Sequence, residues 1–188
     1  MSPTQKVKGR RQRDYRLAAG MSRDHLDINQ IFHRHAPYVW RSLRYLGVAE
    51  RDLEDQVQEV FIRVARSLDS FEGRSTLRTW IYGICLRMAS DYRRLARVRR
   101  EVPVPELPDD QPAPGSQAHS LEARELLLGA LAQLPPDQRE VFVLYEIEEL
   151  EMKEIVEMLE VPLFTGYSRL RAARKAVRQY CQVEGGDE

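Results

Sequence analysis

Cysteine is scarce in this 188-residue sequence, and long apolar runs and a net charge are absent. The two cysteines, Cys85 and Cys181, have no CxxC or CxxH partner. This excludes a disulfide framework and a cysteine zinc site, and it favours the reducing cytoplasm. No run reaches the roughly 18 apolar residues that a membrane-spanning helix needs. The basic N-terminus has no apolar core behind it, so it does not read as a secretory signal.

The zero net charge hides a strong segregation of charge along the chain. Overall, 29 basic and 29 acidic residues cancel. Residues 137–160, however, carry nine acids and two bases, whereas residues 161–180 carry five bases and no acid. Residues 101–120 carry four acids and no base. Blocks of opposite sign indicate that different faces meet different partners.

Composition divides the chain into five segments. Residues 1–25 are polar and basic without an apolar period, and we expect a disordered arm. Residues 26–100 and 121–183 have helical periodicity without strand-like alternation, so the sequence predicts an all-α protein with two small domains. Between them, residues 101–120 contain five prolines and predict a flexible acidic linker about which the domains move independently. Residues 184–188 form an acidic tail.

The periodicity of the first domain predicts three helices, and the second of them has two distinct faces. The first helix contains Pro37, where we expect a kink or break. The core stripe of the second helix holds Leu53, Val57, Val60, Phe61, Val64 and Leu68 at helical spacing. The opposite face holds Asp55, Glu59, Ile62 and Arg66, with Gln58 at its margin. That face is either solvated with one stray isoleucine, or a docking surface for a partner helix with Ile62 as its anchor.

The third helix of the first domain carries a basic ridge. Ser75 or Thr76 is the expected cap at its start. Its core stripe holds Leu77, Trp80, Ile81, Ile84, Met88 and Leu95. The opposite face holds Thr79, Tyr82, Leu86, Ser90, Arg93 and Arg97, flanked by Arg87 and Arg94. Six arginines and one acid lie between residues 87 and 100. This face is either solvated or, with Tyr82 and Trp80 able to stack on unpaired bases, a surface for single-stranded nucleic acid.

The second domain has the most specific pattern. Two prolines precede a helix, and Pro136 suits its first turn. A short acidic helix then leads to a turn at Glu160, Val161 and Pro162, and a helix from about Leu163 carries five bases. A short helix, a tight turn and a basic helix predict a helix-turn-helix, whose second helix lies in the major groove of DNA. The alternative is an ordinary helical hairpin.

Two stretches of the sequence resemble extracytoplasmic-function sigma factors. Residues 54–84 read EDQVQEVFIRVARSLDSFEGRSTLRTWIYGI and resemble the second conserved region of that family. Residues 134–177 read LPPDQREVFVLYEIEELEMKEIVEMLEVPLFTGYSRLRAARKAV and resemble its fourth region. The two regions stand in the family's order with a proline-rich linker between them. The resemblance implies an alternative sigma factor, a promoter-recognition subunit of bacterial RNA polymerase without catalytic chemistry of its own.

The resemblance also assigns roles to the faces described above. The polymerase-binding surface would comprise Asp55, Gln58, Glu59, Ile62 and Arg66. The opened −10 element would meet Trp80, Tyr82, Arg87, Ser90, Arg93, Arg94 and Arg97. The duplex −35 element would meet Thr165, Tyr167, Ser168, Arg169, Arg171, Arg174 and Lys175. The implied partners are core RNA polymerase, promoter DNA and an anti-sigma factor, and the linker would run toward the path of the RNA.

The sequence departs from the family pattern in the helix that would read the −35 element. Four residues differ from the family pattern: Phe164 replaces a glycine, Gly166 a valine, Tyr167 a lysine and Ala172 an arginine. Gly166 costs about 1 kcal/mol of helix propensity and removes a core side chain. We therefore expect either an unusual −35 sequence or a helix that is weak until it binds. In the first domain, Arg87 replaces an asparagine that the family often has.

The sequence contains no pattern that indicates a catalytic site, a cofactor site or a metal site. His33 and His35 form a His-x-His pair, but positions two apart point in different directions on a helix. No paired carboxylates stand beside a histidine or a glycine-rich loop, so we expect no enzyme. Two other functions remain open. One is a free-standing helix-turn-helix regulator that binds duplex DNA without polymerase, and the other is a sigma-like adaptor that has lost promoter reading.

Overall fold

A computed structural model of the chain describes residues 27–98 and 118–184, with side chains for 27–96 and 122–184. Within these ranges the backbone forms helices and no strand, which confirms the all-α prediction. The N-terminal arm, most of the linker and the last four residues lie outside them. The α-helices are α1 (Ile28–Tyr45), α2 (Leu53–Ser67), α3 (Leu77–Val98), α4 (Ala118–Gln133), α5 (Pro136–Phe142), α6 (Met152–Met158) and α7 (Leu163–Glu184).

The first domain packs α1, α2 and α3 around one core. The Asp27 carboxylate caps α1 by accepting from the Asn29 amide at 2.9 Å, and Thr76 Oγ1 caps α3 by accepting from the Thr79 amide at 3.0 Å. The expected break at Pro37 does not occur, because α1 runs through it. Only the carbonyl of His33 loses its helical donor there, and both residues are exposed, so water can replace that bond.

The predicted core stripe is confirmed within α2, whereas its last residue, Leu68, lies just beyond the helix and is half-buried. Val57, Val60, Phe61 and Val64 are buried, as is Leu53 at the start of the helix. One predicted core residue of α3 is wrong, since Leu95 is 54% exposed. Leu95 lies in the last turn of the helix, where no described residue covers this face.

The second domain forms the predicted helix-turn-helix from α6 and α7. Pro136 stands at the start of α5, whose end widens into a π-helical turn over Val143–Ile147. The connection between α6 and α7 includes Glu160, which adopts a φ of 53°. α7 begins at Leu163 as expected, and the Leu163 side chain is 45% exposed.

The two domains are in contact in this structure, and their independent movement about the linker stays a prediction, since residues 99–117 lie outside the described ranges. Arg93 of α3 pairs with Glu140 of α5, and Arg78 of α3 pairs with Glu148 after the π-helical turn. Buried residues of both domains join in one continuous hydrophobic cluster. A proline-rich linker predicts freedom between domains but carries no information on whether their surfaces match. No helix in the described ranges has the length and apolar character needed to cross a membrane.

Candidate polymerase and nucleic-acid interfaces

The outer face of α2 is exposed as the sequence predicts. Ile62 is 44% exposed, although most large apolar side chains of this domain are buried. Asp55, Gln58 and Arg66 surround it as exposed polar side chains, and Glu59 is half-buried. The Glu59 carboxylate accepts from Arg63 Nε at 3.3 Å, one turn further along the helix. An apolar anchor within a polar rim is the composition of a protein docking site.

Phe32 of α1 is a second exposed apolar side chain of the first domain. Its ring is 39% exposed and meets the ring of Phe61 edge-on, with centroids 4.8 Å apart. Phe61 precedes Ile62 on α2, so Phe32 lies at the α1–α2 junction. The periodicity of α1 places Phe32 beside Ile31, and only the packing of α2 distinguishes the buried residue from the exposed one.

Part of the predicted basic ridge on α3 is exposed. Arg87 and Ser90 are exposed, and the Arg94 side chain is 76% exposed while its guanidinium lies 3.2 Å from the carboxylate of Asp91. Arg97 lies in α3, but its side chain is outside the described residues. Trp80 is half-buried, with its ring centroid 5.2 Å from that of Phe71.

The remaining ridge residues are not exposed, which corrects the sequence analysis. Tyr82 is 1% exposed and Thr79 8%, and Leu86 is buried too. The Arg93 side chain is 14% exposed; its guanidinium donates to the Leu46 carbonyl at 2.8 Å and to the Glu140 carboxylate at 2.5 Å. Thr79 and Tyr82 line a small cleft together with Glu148 and Leu150 of the second domain, and the Tyr38 ring of α1 also lies there, 6.4 Å from the Tyr82 ring, so both domains contribute to their burial. Burial raises the pKa of Tyr82 well above its ordinary value, so its phenol stays neutral.

A cation–aromatic cluster lies at the same junction. The Arg78 guanidinium stacks over the Tyr38 ring, 4.1 Å from its centroid, and donates to the Glu148 carboxylate at 2.8 Å. The Glu148 side chain is only 6% exposed. Burial, with the nearby Glu148 charge, raises the pKa of Tyr38 above its ordinary range. The sequence analysis did not single out Arg78, because a lone arginine near a helix start has no distinctive spacing.

The recognition face of α7 is the exposed side of the helix, which points away from the buried Leu170 and Ala173. Leu170 and Ala173 are buried, whereas Arg171 and Lys175 are exposed. Two aromatic side chains extend the exposed face: Phe164 is 80% and Tyr167 53% exposed. Thr165 and Ser168 are half-buried at its edges, and Ala172 is exposed. This side of α7 therefore presents two bases and two aromatic rings.

The flanking arginines of α7 connect it to α5 and the π-helical turn. Arg169 Nε lies 3.1 Å from the Asp137 carboxylate, and Arg174 Nε lies 2.6 Å from the Glu146 carboxylate. The Arg174 guanidinium also lies 5.2 Å from the centroid of the Tyr145 ring. These pairs fix the orientation of the flanks and leave the central face to Arg171 and Lys175.

Gly166 is buried where α7 crosses α6. A Cβ atom built on it would lie 2.5 Å from Val156 Cγ1 and 2.7 Å from Met152 Sδ. The glycine therefore does not leave a hole in the core, because the side chains of α6 occupy the space that a valine would need. Gly166 lowers the helix propensity of α7, and at the same position α6 and α7 approach each other closely.

Family models match both domains. A model of sigma-70 region 2 matches residues 31–99, and a model of sigma-70 region 4 matches residues 124–177. The ECF RNA polymerase sigma factor SigE of Mycolicibacterium smegmatis is 34% identical over 157 residues, which cover 81% of this chain and 60% of that protein. The ECF RNA polymerase sigma-E factor of Escherichia coli K12 is 32% identical over 142 residues, covering 69% of this chain and 74% of the relative.

Solved structures share the fold. The sigma factor RpoE of Bartonella quintana, in complex with the anti-sigma factor NepR, superposes with a TM-score of 0.67 at 23% identity over 82% of this chain and 96% of that chain. CnrH, in complex with the cytosolic domain of CnrY, superposes with a TM-score of 0.58 at 25% identity over 91% of this chain and 94% of that chain. The matches cover both domains of the described structure.

Proposed function

This chain belongs to the extracytoplasmic-function family of RNA polymerase sigma factors, and we propose that it binds bacterial core polymerase and directs promoter-specific initiation. The observation that carries the proposal is the pairing of two exposed faces in one chain. One is the docking face of α2, with Ile62 at its centre, and the other is the basic recognition face of α7. A free-standing DNA-binding protein needs the second face but not the first.

In the proposed mechanism, the α2 face holds the polymerase while α7 enters the major groove of the −35 element. Arg171 is long enough to donate two hydrogen bonds to guanine O6 and N7, which reads sequence. Arg169 and Arg174 lie at the flanks, where phosphates are the expected partners and position the helix without reading bases. The factor contributes recognition and the polymerase contributes the chemistry, so no catalytic residue is proposed.

The basic ridge of α3 is proposed to act on the opened −10 element. Arg87 and Arg94 are exposed and suited to phosphate contacts, and Trp80 is positioned near the start of the helix for base stacking. The proposed setting is the cytoplasm. An anti-sigma protein is a further proposed partner, supported by the Bartonella structure, which is a complex of this kind.

Transcription of a fragmented genomic library by core polymerase, with and without the protein, tests the proposal. We expect new start sites that require both the protein and the polymerase. Footprints on duplex DNA without polymerase would instead support a free-standing regulator. Neither new start sites nor footprints would support an adaptor without promoter reading.

A further inference from the structure

An exposed phenylalanine lies at the start of the recognition face of α7. Among the described residues, Phe164 is the most exposed large apolar side chain, at 80%, and Tyr167, one turn later, is 53% exposed. The family pattern has a glycine where Phe164 lies, so the ring distinguishes this chain from that pattern. The contacts proposed above for Arg171 and the flanking arginines leave Phe164 without a role.

Phe164 lies on the same line of α7 as three basic side chains. At about 100° per residue, Arg171 and Lys175 each lie about 20° from Phe164 around the helix axis. Arg178 lies about 40° away from it. All three bases are exposed, and together with Phe164 they line one groove of about 660 Å³ along α7. The ring and the bases therefore form one continuous surface.

The charge of this groove suits DNA. Residues 161–180 carry five bases and no acid, and no acidic side chain of the described residues lines the groove. Basic side chains in such a row neutralise phosphates of a duplex. A phenyl ring gains nothing from a phosphate, so the partner of Phe164 within the duplex is an apolar group.

The position of Phe164 in the first turn of α7 directs its ring toward the base edges. A recognition helix contacts base edges in the major groove with its N-terminal residues. Phe164 is the second residue of α7. Its neighbours in the first turn reach less far, because Thr165 is half-buried and Leu163 is 45% exposed. Phe164 is thus the first-turn side chain that extends furthest from the body of the domain.

The major groove offers one apolar group to such a ring. Guanine, adenine and cytosine present hydrogen-bond donors and acceptors there, and a phenyl ring would shield these groups from water without bonding to them. Thymine presents its C5-methyl group. We propose that Phe164 contacts the C5-methyl group of a thymine in the −35 element and makes that base a determinant of promoter choice. The inference rests on the proposed function, because it concerns the DNA that α7 reads.

The helix geometry also limits where this thymine lies. Phe164 and Arg171 are seven positions apart, which is about 10 Å along the helix axis. Base pairs follow one another about every 3.4 Å, so the thymine should lie within about three base pairs of the guanine that Arg171 reads. The two contacts together specify a spaced pair of bases.

Selection from a randomised duplex pool identifies the thymine. The pool is selected once by the full chain alone and once by the chain with core polymerase, using the parent, Phe164→Ala and Val183→Ala proteins. Val183 is the matched control, since it is an apolar side chain, 75% exposed, near the end of α7 and outside the groove. We expect Phe164→Ala to lose the thymine preference at one position and to keep the guanine position. A parent protein with no thymine preference that Phe164→Ala removes would overturn the proposal.

Deoxyuridine in place of the selected thymine then isolates the methyl group, because it pairs with adenine and lacks only that group. The parent and Val183→Ala should bind the thymine duplex about fourfold more tightly than the deoxyuridine duplex, as burial of one apolar carbon requires. Phe164→Ala should bind both duplexes equally. Equal binding of the two duplexes by the parent would overturn the contact, and so would a full fourfold difference in Phe164→Ala.

The comparison with and without core polymerase separates this inference from the proposed function. If the chain alone shows the methyl effect and loses it in Phe164→Ala, but adds no start sites with polymerase, the thymine contact stands and the sigma function fails. If new start sites appear and Phe164→Ala leaves the methyl effect unchanged, the function stands and the contact is refuted. A Phe164→Ala protein that binds polymerase more weakly and keeps the methyl effect would assign the ring to a protein partner and refute the contact.

Discussion

Arg93 of α3 and Glu140 of α5 lie 47 residues apart in the sequence, yet their side chains form an ion pair with an N–O distance of 2.5 Å. Burial raises the pKa of Glu140 above its ordinary value, and the adjacent Arg93 charge opposes that rise. The pair places an arginine of the basic ridge inside the junction between the domains. Any contact between Arg93 and DNA therefore requires the domains to separate first.

Replacement of the docking anchor should weaken polymerase binding without unfolding the protein. Ile62→Asp puts a charge at the centre of the α2 face, and loss of a desolvated anchor costs about 2 kcal/mol or more, about 30-fold in affinity. The measurement is the affinity for core polymerase, with urea unfolding as the check on folding. Val183→Asp, at a 75% exposed position near the end of α7, is the control and should bind like the parent. Equal affinities for all three proteins would leave the α2 face without a docking role.

Two arginines of α7 should differ in what they contribute to DNA binding. Arg171→Ala should relax one or two base positions of a selected −35 sequence, because a bidentate contact to guanine is worth about 1–3 kcal/mol of discrimination. Arg169→Ala should weaken binding to all sequences alike and lower the salt slope by about one. Selection from a randomised −35 pool with each protein measures both effects. An unchanged preference in Arg171→Ala would show that this side chain does not reach the bases.

The lysine of the family pattern, restored at position 167, should strengthen binding to DNA of any sequence. Tyr167→Lys restores the charge of the family pattern on an exposed position of α7. It should tighten binding to every sequence and raise the salt slope by about one, since one more phosphate is neutralised. Titration of duplex DNA at several salt concentrations measures the slope. A slope equal to that of the parent would mean that position 167 lies away from the phosphates.

Two glycine substitutions in helices should change stability in opposite directions. Gly166→Ala places a Cβ against Val156 and Met152, and overpacking of this kind costs about 1–3 kcal/mol. Gly83→Ala in α3 meets nothing within 4 Å, so it should stabilise the protein by about 0.5–1 kcal/mol through helix propensity. The urea midpoint of unfolding measures both. A stabilised Gly166→Ala protein would contradict the close approach of α6 and α7.

The two cysteines should react at very different rates. Cys85 is fully buried, and burial raises the pKa of its thiol to about 12, so at pH 8 the thiolate is scarce as well as inaccessible. Cys181 is only partly buried. Native protein treated with iodoacetamide should carry its label on Cys181, and both cysteines should be labelled in urea. Rapid labelling of Cys85 in the native protein would indicate that the core of the first domain opens readily.

Periodicity predicts the elements of this protein well, because each helix has one face that must leave water. The core stripe of α2, the cap at Thr76 and the start of α7 at Leu163 all follow from local spacing. The burial of Tyr82 and Thr79 on α3 does not follow from local spacing. Helical phase assigns Tyr82 and Thr79 to an outward face, because it cannot show that Glu148 and Leu150, some 66 to 71 positions later in the sequence, lie beside them.

The candidate sites divide in the same way. The exposure of Ile62 and Arg171 depends on the helix that carries them, so the helical phase suffices to predict it. The engagement of Arg93 and Arg78 depends on Glu140 and Glu148, and an acid in the sequence does not reveal which distant base it will meet. Gly166 is a third case. The sequence shows that a side chain is missing there, but only the structure shows that Val156 and Met152 occupy its space.

The most direct test of the account is promoter-dependent transcription by core polymerase with the parent, Ile62→Asp and Val183→Asp proteins. Start sites are mapped on a genomic library at a protein concentration near the Kd of the parent protein for polymerase. The account predicts new start sites with the parent and with Val183→Asp, and a strong loss of the same sites with Ile62→Asp. Start sites that are identical with and without the parent protein would contradict it.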